Sequence, residues 1–129
     1  MNVTYLNHSG FLLEWDDCYW LFDYFKGEIP AMNLDKDIYV FASHSHHDHF
    51  NQDVFKLSKM YPKVIYIFSD EIKEVCNNIQ TPEIIFLENN KDKVINDSLK
   101  IHTLTSTDLG CAFVIEYENY TVYHAGDLH

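Results

Sequence analysis

Apolar residues in the first part of the chain fall into short runs that are separated by polar turn residues. Runs of four or five residues that are rich in branched and aromatic side chains predict β-strands. The two aspartates at 16 and 17 predict a hairpin, and a wholly apolar run that ends at Ala42 predicts a strand buried on both faces. The predicted strands cover residues 3–6, 11–15, 18–22 and 38–42.

Strand and helix patterns alternate in the middle of the chain. Asn51 and Ser69 each precede a segment with helical spacing of apolar residues, and both residue types are preferred helix N-caps. Short apolar runs between and after these segments predict buried strands. The predicted elements are a helix at 51–60, a strand at 64–68, a helix at 69–77 and a strand at 84–87.

The last third of the chain has only strand patterns, which predict two hairpins. One hairpin joins residues 94–95 to 99–104, and the other joins 111–117 to 120–124. Strands, then alternating strands and helices, then strands again predict an α+β fold. We expect one domain over residues 1–129, built on a mixed β-sheet with helices on one face.

Composition agrees with a globular domain, because 47% of the residues are apolar and the chain holds nine Tyr and nine Phe. No apolar run approaches the roughly 18 residues that span a bilayer, and the N-terminus lacks the features of a signal peptide. We therefore expect a cytoplasmic protein outside membranes. The three cysteines form no CxxC pair and lie among apolar neighbours, which predicts buried structural thiols. They are Cys18, Cys76 and Cys111.

Charge argues against polyanionic partners. With 20 acidic and 9 basic residues the formal net charge is −11. Such a surface repels phosphate backbones and anionic lipids, so we expect no nucleic-acid partner and no membrane partner. A small-molecule substrate fits this composition better.

Candidate chemistry is concentrated in residues 43–50, which read Ser-His-Ser-His-His-Asp-His-Phe. Imidazole is the commonest zinc ligand, and carboxylate oxygen completes such sites. Residues two apart in an extended turn point the same way, so His44 and His46 are placed to bind one cation, and Asp48 and His49 a second. A solvated histidine tract is less favoured, because the segment lies between a buried strand and a capped helix.

The pattern H-x-H-x-D-H formed by these four residues resembles the hallmark of the metallo-β-lactamase-fold hydrolases. The opening strands at 7–14 and 21–23 resemble those of the family, and the segment 122–127 resembles its strand that ends in Gly-Asp. The resemblance therefore covers the whole chain. It is greatest to the uncharacterised zinc-dependent hydrolases of the superfamily and smaller to its secreted, antibiotic-degrading members.

The resemblance implies two zinc ions, with iron or manganese as alternatives. The implied reaction is hydrolysis by a metal-activated hydroxide, which Asp48 orients as the catalytic residue. Asp23 is either an acceptor that orients a motif imidazole or part of a plain surface turn, while His47 occupies the variable position. The implied ligands are His44 and His46 for the first ion, Asp48 and His49 for the second, and Asp127 as the bridge.

The chain departs from the family in two places. The family places a further His after the strand that here ends near Leu104. This chain has no His there, so either Asp108 replaces it as a ligand or water occupies the position near Ser106. His102 lies nearby and is expected to have a packing or surface role. The four-layer αβ/βα family sandwich also has a second half, so we expect this domain to be truncated on its C-terminal side. The final His ligand is then absent, with His129 as a substitute or a terminal residue without a role.

Truncation predicts an exposed apolar sheet face, and hence a homo-oligomer or association with a missing C-terminal half. It also leaves two functional classes open: a metal-dependent hydrolase, or a non-catalytic metal-binding fragment whose activity needs that half. A nuclease is disfavoured by the charge. The substrate is not specified by the sequence, although the loop at 24–37, with Tyr24 and Phe25, is expected to border the site.

Overall fold

The computed structural model describes residues 1–7, 9–46, 49–77, 79–105 and 110–125. Within these residues ten β-strands form two sheets, and short helices follow two of the strands. All the strands predicted from the apolar runs are present, with ends shifted by one or two residues. The α+β class is confirmed.

The first sheet is mixed. Its first three strands pair antiparallel, whereas the third to the sixth run parallel, so that β4 and β5 lie in its centre. Strand order follows the sequence. The strands are β1 (Asn2–Asn7), β2 (Gly10–Glu14), β3 (Cys18–Phe22), β4 (Asp37–Ala42), β5 (Val64–Ser69) and β6 (Ile84–Leu87).

Each predicted helix is a 3₁₀ turn that continues into one short α-helical turn. The first comprises Gln52–Lys56 and α1 (Leu57–Met60), and Asn51 caps it by accepting a hydrogen bond from Asp53 N at 2.8 Å, as predicted. The second comprises Asp70–Ile72 and α2 (Lys73–Cys76).

Ser69 occupies the predicted cap position of the second helical segment, but its side chain makes no capping hydrogen bond. The prediction of a side-chain cap there is therefore wrong. Ser69 is the last residue of β5, and its side chain is fully buried.

The four C-terminal strands form a second, separate sheet that is antiparallel throughout, in the order β10-β9-β8-β7. Both predicted hairpins lie in it. The strands are β7 (Asp92–Asn96), β8 (Leu99–Thr105), β9 (Cys111–Tyr117) and β10 (Tyr120–His124).

The first sheet is covered on both faces, which explains its nearly continuous apolar strands. One face packs against the helices through a cluster that includes Leu21, Val40, Tyr66, Phe68, Val54, Leu57 and Ile72. The other face packs against the second sheet through a cluster that includes Trp20, Phe22, Phe41, Ile67, Ile101, Phe113 and Ile115. Helices on one face are thus confirmed, and the opposite face is covered by β-sheet.

The outer face of the second sheet differs from the apolar surface that we predicted. Buried and exposed residues alternate along β8, and the exposed rows combine charged and apolar side chains. The apolar members are Val94, Leu104 and Tyr123, which are 63%, 43% and 56% exposed. Asp92, Lys100, His102 and Glu116 lie among them. Within the described residues this face is mixed, because its strands place polar residues at every second position.

The three cysteines are buried and free, as predicted. No helix in the described part of the chain is long and apolar enough to span a membrane.

Candidate metal centre

Two predicted site segments leave the first sheet side by side. Asp23 directly follows β3, and Ser43 directly follows β4. Because β3 and β4 are parallel and paired in register, their carboxyl ends meet at one edge of the sheet, where ligand sites of such sheets commonly lie. Asp23 has a positive φ of 44° and donates its backbone N–H to Phe41 O at 2.9 Å. This turn directs its carboxylate toward the histidine segment.

The fold brings three of the predicted ligands together. The ring centroids of His44 and His46 are 4.7 Å apart, and those of His44 and His49 are 3.9 Å apart. A tight turn returns the chain, since His46 O accepts the backbone N–H of His49 at 2.9 Å and that of Phe50 at 3.0 Å. His44 and His49 are buried, whereas His46 is exposed. His44, which was assigned to the first cation, is therefore adjacent both to His46 of the same group and to His49, which was assigned to the second cation.

Asp23 holds this arrangement through three hydrogen bonds. Its Oδ2 accepts from His49 Nδ1 at 2.8 Å and from Ser43 Oγ at 2.6 Å, and its Oδ1 accepts from Ser43 N at 2.7 Å. The side chain of Asp23 is fully buried. Of the two roles weighed for Asp23, the structure confirms the contact that orients an imidazole and excludes a plain surface turn.

The same carboxylate also determines the tautomer of both buried imidazoles. A proton on His49 Nδ1 faces Asp23, so Nε2 carries the lone pair. The single hydroxyl proton of Ser43 goes to Asp23, so Ser43 Oγ acts as acceptor toward His44 Nδ1, 3.1 Å away. His44 is thereby held with its lone pair on Nε2 as well. In the neutral form of each ring, the lone pair is then on Nε2.

A second carboxylate contacts the segment between the first two histidines. Glu71 accepts hydrogen bonds from the backbone N–H of Ser45 and, at 2.8 Å, from the hydroxyl of Ser45. Glu71 lies in the 3₁₀ turn after β5. The sequence analysis did not identify it, because no local pattern connects residues 45 and 71.

Gly110 allows the chain before β9 to pass against the histidine segment. Its φ is +86°, and a Cβ at this position would lie 1.9 Å from Ser43 O and 2.6 Å from His44 Cβ. The adjacent Cys111 N donates to Ser43 O at 2.9 Å. Gly110 was also missed, although a glycine directly before an apolar strand suggests close backbone approach.

His124, at the end of β10, reaches the same region. Its Nε2 lies 3.1 Å from Ser9 O and 3.9 Å from Asp23 Oδ2, and its ring stacks on Phe22 at 4.7 Å and 6°. The sequence analysis assigned His124 only to a strand. Its placement brings the segment before Asp127 close to Asp23.

Several predicted site residues lie outside the described residues: His47, Asp48, Ser106, Asp108, Asp127 and His129. His102 is described and lies on the outer face of the second sheet, between Asp92 and Glu116. This agrees with the packing or surface role expected for it.

The described donor groups fit a transition metal ion, because they are imidazoles and because hydrogen bonds hold two of them in a fixed orientation. Two buried imidazoles, His44 and His49, have their Nδ1 atoms in hydrogen bonds to Ser43 and Asp23, and the exposed imidazole of His46 is adjacent. Within the described ranges, no three His, Cys, Asp or Glu side chains form a complete metal-binding group. Carboxylates are the ligand type that accompanies imidazole in such centres, and the two carboxylates predicted as ligands, Asp48 and Asp127, lie outside the described residues.

Comparison with known proteins agrees with this fold and site. Residues 2–129 match the family described as the beta-lactamase superfamily domain. The chain belongs to this family, and the resemblance drawn from the H-x-H-x-D-H pattern is confirmed.

Two curated relatives are named UPF0173 metal-dependent hydrolase. The protein from Korarchaeum cryptofilum is 32% identical over 98% of this chain and 60% of its own length. The protein from Desulforamulus reducens is 28% identical over 98% of this chain and 62% of its own length. The chain thus spans about three fifths of the length of these relatives.

Solved structures show the same fold at low sequence identity. Igni18, a metallo hydrolase from Ignicoccus hospitalis, superposes with a TM-score of 0.71 at 20% identity, covering 98% of this chain and 60% of its own. YhfI, a metallo-beta-lactamase fold protein from Bacillus subtilis, gives 0.66 at 21% identity, with 92% and 54% covered. CmlA, a diiron beta-hydroxylase from Streptomyces venezuelae, gives 0.71 at 13% identity, with 98% and 29% covered. The last case shows that this fold also serves an iron enzyme that is not named a hydrolase.

Proposed function

We propose that this chain supplies the histidine-rich part of the active site of a metal-dependent hydrolase. The observation that carries the proposal is the buried carboxylate of Asp23, which binds His49 directly and His44 through Ser43. A carboxylate that holds two buried imidazoles in one tautomer is typical of the surroundings of metal ligands.

The proposed ligands are those implied by the motif. His44 and His46 hold the first ion, Asp48 and His49 the second, and Asp127 bridges them. Two contacts support this grouping: His124 Nε2 lies 3.9 Å from Asp23 Oδ2, and His46 O accepts the backbone N–H of His49 at 2.9 Å. Imidazole with carboxylate suits zinc best, and iron or manganese are the alternatives.

Each part of the site then has a definite chemical role. When bound, the metal ions supply an activated hydroxide and polarise the scissile group. Asp48 orients the attacking oxygen. Asp23 orients His49 directly and His44 through Ser43. Burial of these two imidazoles excludes water from their ring faces, which strengthens electrostatic interactions at the site.

A small molecule, and not a polyanion, is the proposed substrate class, because a net charge of −11 repels polyanions. The loop after Asp23 is tied to the helix that follows the motif, since Asn51 Nδ2 donates to Phe25 O at 2.8 Å. This bond supports the proposal that Tyr24 and Phe25 border the substrate.

The alternative is a metal-binding fragment without activity. It is favoured by the length of the curated relatives, of which this chain spans 60% and 62%. In this case the chain acts only after association with a second copy or with a C-terminal half. Light scattering of the purified chain tests the association, which a monodisperse monomer contradicts.

Metal content of the chain purified without chelator tests the proposed function. We expect two zinc ions per chain in the wild type, loss of metal in His46→Ala and Asp48→Ala, and no change in the control His102→Ala, which removes a histidine of the second sheet. Turnover of ester, lactone or phosphodiester substrates together with two ions supports the hydrolase. One ion without turnover supports the fragment. A wild-type chain without metal contradicts the hydrolase proposal for the isolated chain and supports the alternative, in which activity needs a C-terminal half.

A further inference from the structure

The two serines that flank His44 are each held by a carboxylate from a neighbouring strand. Asp23, after β3, binds the N–H and hydroxyl of Ser43. Glu71, after β5, binds the N–H and hydroxyl of Ser45. Because β4 lies between β3 and β5 in the sheet, the segment is held from both sides. Each carboxylate uses one oxygen for the amide and the other for the hydroxyl.

The position of Glu71 follows from strand register. Ala42 of β4 is paired with Phe68 of β5, and Ser45 and Glu71 each lie three residues beyond that pair. The backbone pairing of the two strands ends at Ala42 and Phe68. Beyond this pair, the side chain of Glu71 connects the two segments through Ser45. The neighbouring Ile72 is fully buried in the cluster under the helices, which restricts the backbone on which Glu71 stands.

Of the three acidic residues in this helical segment, Glu71 is the one that contacts Ser45. Asp70 and Glu74 belong to the same helical segment and are exposed, whereas Glu71 is partly buried against Ser45. A carboxylate that accepts two hydrogen bonds is a stronger anchor than a neutral acceptor of the same shape. A role in solubility alone would not require the contact with Ser45, because each of the three acidic residues adds the same negative charge.

We propose that Glu71 is a positioning residue of the metal centre, acting through Ser45 on His44 and His46. Fixing the backbone and side chain of Ser45 restricts the two flanking residues, whose rings lie 4.7 Å apart. This inference rests on the proposed function, because positioning matters for a ligand pair only where a metal binds. Partners that orient metal ligands typically change metal affinity by about 10- to 100-fold when they are removed.

The test compares Glu71→Gln with Glu74→Gln in the full chain. Both substitutions remove one negative charge from the same helical segment, but only the first places an amide N–H₂ against a donor of Ser45. We expect the zinc dissociation constant, measured by competition with a chelating dye, to rise about 10- to 100-fold in Glu71→Gln and to stay unchanged in Glu74→Gln. The melting temperatures of the two metal-free variants should agree.

A third variant, Ser45→Ala, removes one of the two hydrogen bonds and keeps the backbone N–H. We expect a smaller loss of zinc affinity than in Glu71→Gln, and Glu71→Gln should add less in the Ser45→Ala background than in the wild type, because both act on one contact. Ser45→Ala also decides the matter if Glu71→Gln does not fold: unchanged zinc affinity in a folded Ser45→Ala protein then overturns the proposal.

The outcomes separate this inference from the proposed function. Equal zinc affinity in the wild type, Glu71→Gln and Glu74→Gln overturns the positioning role and leaves the metal site intact. A wild type that binds no zinc overturns the proposed function, and the imidazole ¹H–¹⁵N resonances of the metal-free protein then decide about Glu71. Shifts of the His44 and His46 signals in Glu71→Gln but not in Glu74→Gln support positioning, and unshifted signals overturn it.

Discussion

Asp23 Oδ2 lies 2.8 Å from His49 Nδ1, and both side chains are buried, with exposed fractions of 0% and 2%. Asp23 directly follows β3, whereas His49 lies in the segment after β4, and the two residues are 26 positions apart in the sequence. A buried carboxylate needs hydrogen-bond donors to offset its desolvation, and Asp23 receives three. The donors all come from the segment after β4, so the stability of this edge and the geometry of the imidazoles depend on the same residue.

Replacing Asp23 by asparagine should therefore affect both properties. Asn has the same shape and tolerates the positive φ of 44°, but it presents an N–H₂ to a donor. We expect the free energy of unfolding of the metal-free protein to fall by about 1–3 kcal/mol and zinc affinity to fall by about 10- to 100-fold. Urea unfolding followed by tryptophan fluorescence, together with zinc titration, measures these effects. The exposed Asp35→Asn is the control, and equal behaviour of the two variants contradicts the prediction.

Gly110→Ala should destabilise the protein more than Gly27→Ala. Both glycines have positive φ, +86° and +108°, so each alanine carries a conformational cost of about 1–2 kcal/mol. A Cβ at Gly27 lies 3.3 Å from the nearest atom, Leu6 O, whereas a Cβ at Gly110 lies 1.9 Å from Ser43 O. Overpacking at Gly110 should add about 1–3 kcal/mol. Chemical denaturation of both variants measures the difference, and equal destabilisation would show that the chain before β9 does not press on Ser43.

His102 should make stability depend on pH through its contacts with Glu116 and Asp92. Hydrogen bonds to Glu116 and Asp92 raise the pKa of His102 above 6.5, and the hydrogen bond to His102 lowers the pKa of Asp92 below 3.8 and of Glu116 below 4.5. The contribution of His102 to the free energy of unfolding is complete below pH 6.5, the ordinary pKa of histidine, and it is lost as the pH rises through the raised pKa. The contributions of Asp92 and Glu116 are complete above the ordinary pKa values of these carboxyl groups, and they are lost as the pH falls through the lowered pKa values.

The stabilising effect of His102 should therefore be greatest between about pH 4.5 and pH 6.5. Unfolding of the wild type and His102→Gln should differ most near pH 5.5 and converge well above the raised pKa of His102. Added salt should reduce the difference, because these side chains are exposed and their charges are screened. A difference that grows toward alkaline pH would refute the assignment.

The buried cysteines should resist alkylation in the native protein. Burial raises the pKa of Cys111 to about 12 and that of Cys18 to about 11, and burial also raises the pKa of Cys76. Because the thiolate is the reactive form, iodoacetamide near pH 8 should modify none of them rapidly in the folded chain and all three in urea. Mass spectrometry counts the added groups. Rapid native labelling at Cys111 would indicate that the core beside Ser43 opens frequently.

Several features of the site could be predicted from the sequence because they are local. The apolar runs determined the strands, and the position of residues 43–50 between a buried strand and a capped helix indicated metal chemistry at His44, His46 and His49. For Asp23 two alternatives were open, an acceptor that orients a motif imidazole or a plain surface turn, and the first was implied by the family resemblance. Each of these inferences depends on side-chain type and short-range spacing.

Other features depend on contacts between distant segments. Glu71 reaches Ser45 only because β4 and β5 are parallel and in register, and Gly110 meets Ser43 only because the second sheet stacks on the first. The division of the strands into two sheets likewise depends on the choice of pairing partners, which the period-two pattern leaves open.

The sequence by itself determined the secondary structure, the α+β class and the identity of the histidine segment, because hydrophobic period and residue chemistry act within a few positions along the chain. Tertiary structure alone decided which carboxylates hold that segment, which glycine it needs and which faces of the sheets are covered. Strand register and sheet stacking bring residues from β3, β5 and β9 to one edge, and no local pattern encodes those distances.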